Sequence, residues 1–133
     1  MSTKVIIDYW IEKANEDLGA ASDNLAHGRF VNAVRDAYFA CFHVFSALLL
    51  KQGRSFRKHK QVRAALHRDY IKTQIIETRW GKHYDWLFEN RQKADYRPLV
   101  TFEQEQVCEI LEKSREFVKQ IVDLINTGGK NSK

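Results

Sequence analysis

A chain of 133 residues, 44% hydrophobic and 29% charged, has room for one real core and too much apolar content for a disordered protein. A single proline leaves long uninterrupted stretches, which argues against a strand-and-turn protein and for helices. The formal charge is +5 and unevenly placed: Lys51, Arg54, Arg57, Lys58, Lys60, Arg63 and Arg68 come before the first acid of that stretch, Asp69, which leaves about −2 for the remainder.

The first predicted helix runs from near Thr3 to His27. Ile7, Trp10, Ala14, Leu18, Ala21 and Leu25 recur at spacings of three and four and make one apolar stripe. Gly28 follows as a left-handed C-terminal cap. The second helix, Arg29 to Gln52, closes at Gly53. Phe30, Val34, Tyr38, Cys41, Phe45 and Leu48 form one stripe, while Phe39, Phe42, Val44 and Leu49 cover much of the rest. A helix apolar nearly all round belongs at the centre of a bundle or in a subunit interface, and a homodimer is expected on that ground.

Residues 53–59 form a basic connection, followed by a short helix from Lys60 to Ile71. A further helix spans about Gln74 to Lys93, with a break expected at Gly81; Trp80, Tyr84 and Leu87 face inward. The last helix starts at a capping box, Thr101-Phe102-Glu103-Gln104, with Thr101 as N-cap. Val107, Ile110, Ser114, Phe117, Ile121 and Ile125 carry its stripe to Gly128-Gly129. The expected fold is all-α, an antiparallel up-and-down bundle of four longer helices plus a short one. It forms one domain over residues 3–127, and a disordered polar tail occupies 128–133.

The N-terminus lacks the basic and apolar regions of a secretory signal. The run from Ala37 to Leu50 is interrupted by His43 and is shorter than the roughly 20 residues that span a bilayer. No membrane segment and a cytoplasmic location are expected, with Cys41 and Cys108 as reduced, buried thiols.

The chemistry-bearing stretch is Arg91-Gln92-Lys93-Ala94-Asp95-Tyr96. Arg91 follows Leu87 by four, so it continues a buried face and needs a partner; Asp95 is the nearest. Arg offers a planar fork for phosphate or carboxylate, Asp can accept a proton, and Tyr can donate one. The competing reading is an Arg91–Asp95 clamp at a helix end, with Tyr96 packed over it. The buried hydroxyl of Tyr38 needs a hydrogen bond, and Arg91 or Asp95 would supply one. A second set, Arg54, Arg57, Lys58, His59 and Lys60, suits phosphate-bearing ligands such as RNA or a nucleotide. His43 reads as a core or interface histidine and Cys41 as core. His59 and His67 lack a third ligand, so no metal and no cofactor are expected.

Three segments resemble the HEPN domain family over about residues 4–126. They are Gly28-Arg29-Phe30 with Arg35-Asp36-Ala37-Tyr38-Phe39-Ala40, Phe42-His43 and Ala47-Leu48-Leu49; His59 within Arg57-Lys58-His59-Lys60; and the Arg91 to Tyr96 segment. The resemblance implies a dimeric helical bundle that binds nucleotides or RNA, or pairs with a small nucleotidyltransferase in a toxin–antitoxin-like system. It also implies, for active members, metal-independent ribonuclease activity through an R-x(4–6)-H motif. Here Tyr96 stands at the histidine position and no histidine follows His83, so weak or absent ribonuclease activity is expected. A ribonuclease using Arg91 with another group, and a purely structural bundle, are the alternatives. A literal R-x4-H at Arg54 to His59 lies in the basic connection and reads as coincidence.

Overall fold

The computed structural model describes residues 2–131, with side chains described through Thr127. All elements among these residues are helical: α1 (Thr3–Ala26), α2 (Phe30–Lys51), α3 (His59–Leu66), a π-helical turn (His67–Ile71), α4 (Thr78–Tyr96) and α5 (Gln104–Asn131). The expected class holds: an all-helical bundle of four long helices and one short one. The expected polar tail over 128–133 falls on residues outside those whose side chains are described.

Local sequence explains most boundaries. The Ser2 hydroxyl caps α1 by accepting the Val5 amide at 3.3 Å. Gly28 and Gly53 sit at φ 73° and 76° after α1 and α2. In each case the next amide reaches back to a carbonyl of the last turn, Arg29 to Asn24 and Arg54 to Leu49. This closing hydrogen bond needs a left-handed residue before it, which glycine adopts without strain.

Several boundaries differ from the sequence expectation. Gln74 takes φ 65°, so the chain turns there and α4 begins at Thr78. Gly81 does not break α4; it lets the π turn approach, because a Cβ there would lie 2.9 Å from His67 Cε1 and 3.1 Å from Ile71 Cγ1. Thr101 is not the N-cap of α5, which starts at Gln104; buried Phe102 instead packs on Trp86. The described backbone of α5 also continues past Gly128-Gly129.

The all-round apolarity of α2 has an internal cause, since α1, α3, α4 and α5 all pack against it. Ala33, Ala37, Ala40 and Ala47 of α2 and Ala14 and Ala21 of α1 are fully buried, which lets the two helices pack closely. By length and composition α2 is the one helix among the described residues able to cross a bilayer, yet 61% of its most apolar window is buried inside the bundle. Cys41 is buried as expected, and burial pushes its thiol pKa up; Cys108 is exposed, contrary to expectation, because it lies off the inward stripe of α5.

Candidate functional site

Trp80, Tyr84 and Leu87 of α4 are buried, and Arg91 follows on the same face with 16% of its side chain exposed. Its guanidinium lies over two rings of α2, 5.0 Å from the centroid of Tyr38 and 5.6 Å from that of Phe39. An aromatic face attracts a cation, so α2 supplies the seat for the Arg91 charge. One nitrogen, Nη1, donates to Asp95 Oδ2 at 3.2 Å. Nε is buried with no partner among the described residues.

Asp95 also accepts from Arg35, at 2.6 Å from Nη2 and 3.2 Å from Nε. Arg35 was not among the sequence candidates. The available signal was its spacing, four residues before Phe39 and seven before Phe42 on one face of α2. Two guanidiniums from two helices thus share one carboxylate, which leaves net positive charge beside the aromatic face.

Two of the expected contacts are not formed. Tyr96 is 80% exposed and does not pack over the Arg91–Asp95 pair. The Tyr38 hydroxyl pairs with neither Arg91 nor Asp95; it lies 2.6 Å from His59 Nδ1. His59, at the start of α3, stacks on Phe42 with centroids 4.2 Å apart and planes 6° from parallel. Burial first, then the Arg91 charge, then His43, hold the His59 pKa below its usual value. Burial likewise pushes the Tyr38 hydroxyl up to about 12. Both groups are therefore neutral at pH 7.

His43 belongs to the same neighbourhood. Its ring stacks between Trp10 (5.1 Å) and Phe39 (5.8 Å), and its Nδ1 lies 2.6 Å from Asp17 Oδ2 of α1. Asp17 was missed by sequence reasoning, because nothing in its spacing announces a partner 26 residues away. The histidines come from α2 and α3, not from the residues after Arg91.

The expected phosphate set is split. Arg54 pairs with Asp69 at 2.8 Å and lies over Phe56, whereas His59 turns inward to Tyr38. Arg57, Lys58 and Lys60 are exposed, with no ion pair among the described residues. Phe42 also lines an apolar cleft of about 310 Å³ with Trp10, Leu50, Phe56 and Val62. No group of three or more His, Cys, Asp or Glu with metal-binding geometry occurs among the described residues.

Residues 7–125 match the HEPN domain family. The chain is a HEPN-domain protein. The HEPN chain is 42% identical over 120 residues to a UPF0332 protein of Thermotoga maritima, covering 90% of this chain and 91% of that one. Two Methanocaldococcus jannaschii proteins, each named "Putative toxin", are 30% and 32% identical, covering 83% and 84% of this chain and 75% and 82% of theirs. A crystal structure of TT1696 from Thermus thermophilus shares the HEPN chain's fold, with a TM-score of 0.73 at 17% identity, covering 88% of this chain and 96% of that one.

Proposed function

We propose that this HEPN protein is the toxin-side component of a toxin–antitoxin-like pair in the cytoplasm, and that its Arg91 cluster engages the phosphates of RNA. The supporting observation is the convergence of Arg91 and Arg35 on one carboxylate, beside neutral His59 and over the Tyr38 and Phe39 rings. Guanidinium forks fit phosphate oxygens, and the partly buried rings of Phe39, Phe42 and Trp10 offer edges against which an unpaired base can pack. Phe42, which stacks on His59, also lines the cleft of about 310 Å³ bordered by Trp10 and Phe56, which would take a nucleobase. Relatives named as toxins support the biological role. A small nucleotidyltransferase partner and a homodimer belong to the same proposal.

The test is RNA binding by the purified protein as a function of salt. Wild type should bind single-stranded RNA at low salt, and Arg35→Ala or Arg91→Ala should each weaken binding and lower the salt slope by about one. Absence of RNA binding at low salt would leave a structural bundle as the better reading. Light scattering at micromolar concentration tests the dimer, which a clean monomer mass excludes. A ribonuclease is the second reading, favoured by the neutral histidine next to Arg91.

A further inference from the structure

A separate cavity opens between α4 and α5, lined by residues that take no part in the Arg91 site. It encloses about 500 Å³. Small-molecule sites typically hold about 300–1,000 Å³. The register of its two walls is fixed by Trp86 against Phe102 at 5.9 Å, His83 Nε2 against Ser114 Oγ at 3.0 Å, and Trp80 against Phe117 at 6.0 Å. Along that register the Trp86 end is walled by Ile110 and neutral Gln106. Lys82 and Lys113 each immediately precede a member of the His83–Ser114 pair, so they stand on opposite walls at one level. Arg79 lies at the far end, over the Trp80 ring at 4.5 Å. Lys82 has no ion pair among the described residues, and Lys113 has a long one, 3.8 Å to Glu109. Trp80 is 3% exposed, and its Nε1 is buried without an acceptor among the described residues. An unmet donor in a cavity wall points to an acceptor that the chain does not supply.

We propose that this cavity binds a small aromatic monocarboxylate, with its ring between Trp86 and Ile110 and its carboxylate between Lys82 and Lys113. The lining selects that class by shape and by charge. Aromatic and aliphatic walls favour a flat apolar body over an extended polar one. Arg79, Lys82 and Lys113 stand with Glu109 and Glu116, which leaves one positive charge in excess. One carboxylate matches that excess, and an anion beside an apolar wall is held more strongly than in open water. A nucleotide or an RNA strand would carry several negative charges past Glu109 and Glu116, so phosphate chains are disfavoured here. An aromatic amine would meet the excess positive charge with its own. The buried His83 ring stays neutral, its pKa lowered to about 4 by burial first and then by Lys113, and adds no further charge. The proposal is independent of the RNA reading, because it uses another face of α4.

The probe is indole-3-acetate, titrated into the full chain and followed by nitrogen-15 NMR of the tryptophan indole groups. Indole and tryptamine keep the ring and lack the carboxylate. The Trp80 and Trp86 signals should move together and saturate with a Kd of about 1 mM or below, while the Trp10 signal stays in place. Indole and tryptamine should bind at least about tenfold more weakly. Lys82 is exposed, so Lys82→Glu should keep the fold by circular dichroism. It should weaken indole-3-acetate by about tenfold or more. Lys119→Glu makes the same charge change at an exposed residue of α5 outside the cavity. It should leave the affinity within about twofold of wild type, since a charge in open solvent is screened. No saturation up to about 10 mM, or shifts confined to Trp10, would overturn the proposal. So would indole binding as tightly as indole-3-acetate, or equal losses in the two lysine variants.

Discussion

Replacing Arg91 by alanine removes one of two cations on Asp95, and the structure sets what that should cost. A buried carboxylate stripped of its sole partner is expensive, about 3–5 kcal/mol. Asp95 escapes that cost because Arg35 still holds it at 2.6 Å. What is lost is the 3.2 Å pair and the seats over Tyr38 and Phe39. Contacts of this kind, partly exposed, contribute roughly 0.5–1 kcal/mol each. Arg91→Ala should therefore destabilise by about 1.5–3 kcal/mol, or roughly 5–10 °C in Tm for a domain of this size. Arg35 is 39% exposed and its own pair is screened, so Arg35→Ala alone should cost less than about 1 kcal/mol. The double variant leaves Asp95 with neither cation, and its loss should exceed the sum of the single losses by about 1 kcal/mol. Urea unfolding followed by circular dichroism measures all three. Strict additivity, or a single Arg91→Ala loss above about 3 kcal/mol, would refute the shared-carboxylate account.

His83 is buried against Ser114 with its pKa lowered to about 4, first by burial and then by Lys113. The unfolded chain binds that proton near pH 6.5 and the folded chain does not, so its contribution of about 3 kcal/mol is present above pH 6.5 and lost as pH falls toward 4. The difference between wild type and His83→Gln, followed by urea unfolding across that window, should show this slope; parallel curves would remove His83 as its source. Gly81→Ala would gain about 1 kcal/mol of helix propensity but drive a methyl into Ile71 and His67, so a net loss of about 1 kcal/mol is expected, and a raised Tm would contradict the packing. Neutralising Arg57, Lys58 and Lys60 together should lower the salt slope of RNA binding by about 2–3 without changing Tm. An unchanged slope would take these three out of the RNA path.

Helical periodicity carried the fold because each stripe obeyed a local rule that the bundle did not overrule. Trp80, Tyr84 and Leu87 pointed to Arg91, and Gly28 and Gly53 announced their caps. Thr101 misled because a capping box is a short pattern that a loop also satisfies, and Gly81 because close approach of another segment leaves no mark in its own neighbours. The site was half legible. Arg91, Asp95, Tyr38 and His59 were each marked by chemistry or context, whereas the pairs Tyr38–His59, His43–Asp17 and Arg35–Asp95 join residues 21, 26 and 60 apart. Such pairings are fixed by how helices cross, which no local pattern encodes.

The unequal burial of the two thiols has a practical use. Cys41 is sealed in the core and its thiolate is disfavoured, while Cys108 stands open on α5. A maleimide probe added to the native chain should thus attach at one place without any engineering. Spin labels or donor–acceptor dyes at Cys108 would then report a single inter-label distance if two copies associate, and that distance would tell which helices meet between them.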